Sequence, residues 1–80
     1  MKTEYKYIRF ELVEQKPKTT VWHILNRRSG FNLGTIRWYP RWRQYCFFTR
    51  DGCVFNGSCM FDIIAFIGQL SKANKEGIVT

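Results

Sequence analysis

The sequence predicts an α+β domain: a four-stranded antiparallel meander followed by one C-terminal helix packed on one sheet face, in the order β-β-β-β-α. Three observations predict it. Near the N-terminus apolar residues alternate with polar ones, the mark of a half-buried strand. Proline, glycine and asparagine clusters then separate three further runs rich in β-branched and aromatic residues. Only the C-terminal part carries apolar residues at helical spacing. The 80 residues make one domain, because a second core would lack the chain to build it. At 45% hydrophobic and 18% aromatic, the composition is that of a globular chain whose large rings supply the buried area.

The first strand is expected over 5–14, where Ile8, Phe10 and Leu12 alternate with Tyr7, Arg9 and Glu11. Lys16-Pro17-Lys18 ends it, since proline cannot donate to a ladder. The second strand is expected over 19–27, from Thr19, Thr20, Val21, Trp22 and Ile24. It is too apolar throughout to reveal which face is buried. Arg28 to Gly34 reads as a turn, with two glycines and an asparagine that tolerate positive φ. The third strand is expected over 35–39, with Ile36 and Trp38 on one face and Thr35, Arg37 and Tyr39 on the other. Pro40-Arg41 makes a tight connection to a fourth strand over 42–49, and Asp51-Gly52 marks another turn.

The helix is expected over 58–74. Ser58 is the candidate N-cap, and Asp62 places negative charge towards the positive end of the dipole. Cys59, Ile63, Phe66, Ile67 and Leu70 form the buried face, widened by Met60 and Ile64. Lys72 and Lys75 suit the last turn, and Gly77 a stop. The expected core is Ile8, Phe10, Leu12, Ile24, Ile36, Trp38, Ile63, Ile67 and Leu70. A meander leaves edge strands, so a homodimer through sheet extension is open to it.

Charge is unevenly distributed. Lys+Arg 13 against Asp+Glu 6 gives a net +7. Between Gln15 and Arg50 stand Lys16, Lys18, Arg27, Arg28, Arg37, Arg41, Arg43 and Arg50, with no Asp or Glu. That stretch should carry a positive potential attractive to nucleic acid, anionic lipid heads or an acidic protein. The bland reading is solubility alone.

Several classes are excluded. No apolar run approaches the roughly 20 residues a membrane helix needs, and the N-terminus lacks the apolar core of a signal peptide. A cytoplasmic protein with no membrane partner is expected. Cys46, Cys53 and Cys59 are odd in number, and their spacing with the lone His23 matches no zinc pattern. No metal and no other cofactor is expected. His23 has no evident partner for base catalysis, and neither a P-loop nor a nucleophile elbow occurs. A catalytic site needs a rigid supporting shell that so short a chain rarely supplies, so the chain reads as a non-enzyme.

One segment concentrates chemistry: Arg37-Trp38-Tyr39-Pro40-Arg41-Trp42-Arg43-Gln44-Tyr45. Arginine forks onto phosphate or guanine, and aromatic rings stack on bases. The face opposite the helix is expected to show Tyr7, Arg9, Arg37 and Tyr39. Arg37, Arg41 and Arg43 would supply charge there, and Tyr39 and Trp42 stacking area. Lys16, Lys18, Arg27 and Arg28 would steer from neighbouring turns. The partner is expected to be DNA or RNA. The alternative is a protein partner, such as a host enzyme or defence complex that this chain inhibits, because arginine and aromatic residues also dominate protein hot spots.

The run from Leu33 to Phe48, with its L-G-x-I-x-W-Y-x-x-W-R-Q-Y-C-F-F pattern, and Cys59 opening the helix resemble a group of small uncharacterised proteins from bacteria and their phages. The likeness covers roughly residues 20–70. It implies a phage or mobile-element origin and no particular activity. The sheet-then-helix order is also similar to the DNA-binding domains of plant ethylene-response factors and the arm-binding domains of some integrases. Those present arginines and a tryptophan from a three-stranded sheet to the major groove. Arg37, Trp42 and Arg43 are the counterparts by residue type, although the spacing differs and this chain has an extra strand.

Overall fold

The computed structural model describes residues 1–77. Four strands, β1 (Ile8–Gln15), β2 (Thr20–Asn26), β3 (Asn32–Tyr39) and β4 (Gln44–Thr49), precede one helix, α1 (Gly57–Lys75). The strands form one antiparallel sheet in the order β1-β2-β3-β4, the expected meander. The register fixes the geography. Gln15 faces Thr20 and Tyr39 faces Gln44, so the β1–β2 and β3–β4 turns share one end of the sheet. The β2–β3 turn lies at the other.

The helix covers the face bearing Ile8, Phe10, Trp22, Ile24, Ile36 and Tyr45. It contributes Cys59, Ile63, Phe66 and Leu70. At the centre Phe66 stacks on Phe10 with ring centroids 3.9 Å apart and meets Trp22 edge-on at 5.0 Å. Trp38 and Ile67 pack partly buried at the margin of this cluster. A polar node sits inside it. Fully buried Thr20 donates its amide to Tyr45 Oη (3.1 Å) and accepts at Oγ1 from Trp22 Nε1 (2.8 Å). These bonds satisfy groups whose burial unpaired would destabilise the fold.

Several expectations are corrected. The first strand begins at Ile8, not at residue 5. The chain bends at Lys6–Tyr7, and the preceding residues fold back along the edge of β1. Phe10 donates its amide to Thr3 O and Tyr5 donates to Ile8 O. Tyr5 is thereby buried against Phe10, and its hydroxyl accepts from Gln69 Nε2. Burial pushes the Tyr5 phenol above the usual tyrosine value of 10.0; the nearby Asp62 charge adds to the shift and the Gln69 bond opposes it. Leu12 is 45% exposed, not core. It sits on an edge strand beside the irregularity between Leu12 and Glu14, beyond the strip that the helix covers.

Gly34 belongs to β3, which starts at Asn32 rather than at residue 35. A side chain there would come within 2.7 Å of Phe48 O and 2.8 Å of a Phe47 ring carbon, so this glycine permits close approach of β4 rather than a turn. The second strand stops at Asn26 and the fourth starts at Gln44. The helix N-cap is Asn56, not Ser58. Its Oδ1 accepts from the Cys59 amide at 2.8 Å. The helix therefore starts earlier, and Asp62 falls outside its first turn. Met60 and Ile64 are exposed, so the buried face is narrower than expected. Gly77, with φ 76, follows the C-cap as expected.

Candidate nucleic-acid interface

The β3–β4 connection is a four-residue turn, Pro40 to Arg43, between the paired residues Tyr39 and Gln44. Pro40 pre-sets its own φ. Trp42 donates its amide to Tyr39 O at 3.1 Å, and Arg43 donates to Pro40 O at 3.2 Å. Closing this turn places Arg43 at φ 52, the one non-glycine residue with positive φ among those described. Glycine or asparagine would take that conformation with less strain.

The sheet face away from the helix carries Thr35, Arg37 and Tyr39 of β3 and Cys46 and Phe48 of β4. Aromatic contacts chain these residues together. Trp42, 65% exposed at the turn, meets Tyr39 edge-on at 5.2 Å. Tyr39 meets Phe48 at 6.0 Å. The Arg37 guanidinium lies 3.8 Å from the centroid of the Phe48 ring. That stacking orders a cation on the open face while its donors remain available. Phe48 was not among the expected site residues. Alternation along β4 puts it on the face of Cys46 and is the signal that identifies it.

The expected residues fall at two ends of the sheet. Lys16, Lys18, Arg41, Trp42 and Arg43 share the end with two turns, and Arg37 and Tyr39 lead towards it. The helix also ends there, because Asn74 Nδ2 donates to Lys18 O at 3.2 Å. Lys72 and Lys75 thereby join this pole, although nothing in their sequence position links them to Arg43. Among the described residues, none of these cations is in an ion pair.

Tyr7, Arg27 and Arg28 lie at the opposite end, lining an open cavity of about 590 Å³ with Lys6 and Asn26. Here the cations are partly committed. Arg27 donates to Tyr5 O at 2.9 Å and lies 3.6 Å from the Glu4 carboxylate, anchoring the N-terminal segment. Arg9 pairs with Glu11 at 3.1 Å. Arg28 stays exposed in a turn organised by Asn26 Oδ1, which accepts from the Arg28 and Ser29 amides.

His23 stands opposite Glu11 and Thr35 in the register. Cys59 is buried and all three thiols are free. Among the described residues no cluster of three His, Cys, Asp or Glu side chains gathers to hold a metal, and no helix is long and apolar enough to cross a membrane.

No protein-family model matches this sequence, and no solved structure matches it. An uncharacterized 9.3 kDa protein from Acholeplasma phage L2 is 31% identical over 72 residues, which span 89% of this chain and 92% of the phage protein. The phage source agrees with the class of small bacterial and phage proteins that the hairpin pattern resembles.

Proposed function

We propose that this chain, which belongs to the family of the Acholeplasma phage L2 protein, is a non-enzymatic module that binds nucleic acid through its β3–β4 hairpin. One observation carries the reading: Trp42 projects from the turn between Arg41 and Arg43, beside the row formed by Tyr39, Phe48 and Arg37. Exposing a tryptophan forgoes the stabilisation its burial would bring, while arginines on either side suit a ring that stacks on a base next to phosphates. Lys16 and Lys18 extend the positive field at the same end.

A protein partner is the second reading. It draws on the same hairpin and on the outer helix face, where Phe61 is 75% exposed. A titration of labelled duplex DNA, single-stranded DNA and RNA at low and near-physiological salt separates the two. The nucleic-acid reading expects log affinity to fall steeply with log salt yet persist at physiological salt. It also expects Arg41→Ala with Arg43→Ala to abolish most binding at nearly unchanged thermal stability. Normal affinity in that double variant overturns the site. Wild-type binding that vanishes with modest salt overturns the function and points to a protein.

A further inference from the structure

A second concavity, of about 490 Å³, lies on the helix side of the same hairpin. Its lining joins Trp38, Arg43 and Gln44 of the hairpin region to Ser71, Lys72 and Lys75 of α1. Trp38 supplies aromatic surface, Gln44 and Ser71 supply neutral hydrogen-bonding groups, and the three cations supply charge for phosphate. These parts suit one nucleotide within a strand: its base, its sugar and the phosphate on either side. Arg43 also belongs to the turn that carries Trp42, so one residue joins this concavity to the hairpin tip.

We infer that this groove receives an unpaired nucleotide, which makes single-stranded nucleic acid the preferred ligand. The inference rests on the hairpin reading above and extends it. A base inside a duplex is stacked on both faces and paired along its edge. It can reach an aromatic surface in a groove only by leaving the helix, which is unfavourable. A single strand has no such barrier. Its backbone can pass Arg37 and Trp42 on the open face, turn about Arg41 and Arg43, and seat the next base beside Trp38 between Lys72 and Lys75.

Lys72→Gln with Lys75→Gln tests this on exposed positions of the helix. The probes are a single-stranded thymidine oligonucleotide and a mixed-sequence duplex of equal length. Removing two phosphate contacts should reduce the single-strand salt slope by about 1.4, at roughly 0.7 per phosphate, and leave the duplex slope nearly unchanged. A second readout uses Trp42→Phe at oligonucleotide concentrations where a labelled probe shows the variant saturated, because loss of Trp42 itself weakens binding. The remaining tryptophans are buried Trp22 and groove-lining Trp38, so quenching by the oligonucleotide reports occupancy of the groove. Quenching by the single strand and none by the duplex is expected. Slopes unaltered in the lysine variant, equal losses for both probes, or no quenching would each overturn the groove while leaving the hairpin reading intact. No binding of either probe by the wild type overturns both.

Discussion

Arg43 adopts φ 52 in a position where a side chain brings strain of about 1 kcal/mol. The turn would close more favourably with glycine, so the arginine here costs stability. Backbone strain of this kind concentrates at sites of function. Arg43→Gly should therefore stabilise the fold, raising the unfolding free energy by about 1 kcal/mol in urea titrations, while weakening nucleic-acid binding and lowering its salt slope. A variant that is less stable than wild type would show that the conformation is relaxed. One that binds equally well would remove Arg43 from the interface. The arginine and aromatic content of this turn is legible in the sequence. Its strained conformation is not, because φ depends on how many residues join the paired Tyr39 and Gln44.

At the scale of elements, the helix divides into two apolar faces with different roles. Phe66 is fully buried between Phe10 and Trp22, whereas Phe61 is largely exposed. Phe66→Ala should destabilise by about 3–5 kcal/mol, a large share of the stability of so small a domain. Phe61→Ala should stay within about 0.5 kcal/mol of wild type, since it removes few contacts. Thermal melts of the two variants check the assignment, and similar melting points would contradict it. Helical spacing alone identifies Cys59, Ile63, Phe66 and Leu70 as core, yet it also admits Met60 and Ile64. Both are exposed, and the buried stripe is Cys59, Ile63, Phe66 and Leu70. The strands show the same limit. Leu12 keeps the alternation of Ile8 and Phe10, but the helix does not reach it. Gly34 looks like turn punctuation until β4 is placed against it, when the missing side chain becomes a packing requirement.

For the molecule as a whole, the N-terminal segment links stability to pH. Tyr5 is held neutral by burial against Phe10, with its phenol raised above 10.0. The unfolded chain therefore releases this proton at lower pH than the folded one. The contribution is fully present below about pH 10 and is lost as pH rises through the folded-state value. Urea midpoints measured from about pH 9 upward should fall, and Tyr5→Phe should flatten that decline. An identical slope in the variant would place the alkaline sensitivity elsewhere. Charge is likewise a property of the whole. The sequence shows one long basic stretch, whereas the meander folds it into two poles. One pole is partly neutralised by Glu4, and the other is reinforced by Lys72 and Lys75 from the helix.

The sequence by itself determined the element order, the antiparallel meander, the single covering helix and the hairpin that carries most of the candidate chemistry. Those features follow from periodicity and turn composition, which act over a few neighbouring residues. Tertiary structure alone decided that the N-terminal residues return along β1, that Leu12 is left uncovered, and that Lys72 and Lys75 meet Arg43 beside Trp38. Each depends on residues far apart in the chain whose proximity is set by strand register and by where the helix crosses the sheet. No local pattern encodes that distance.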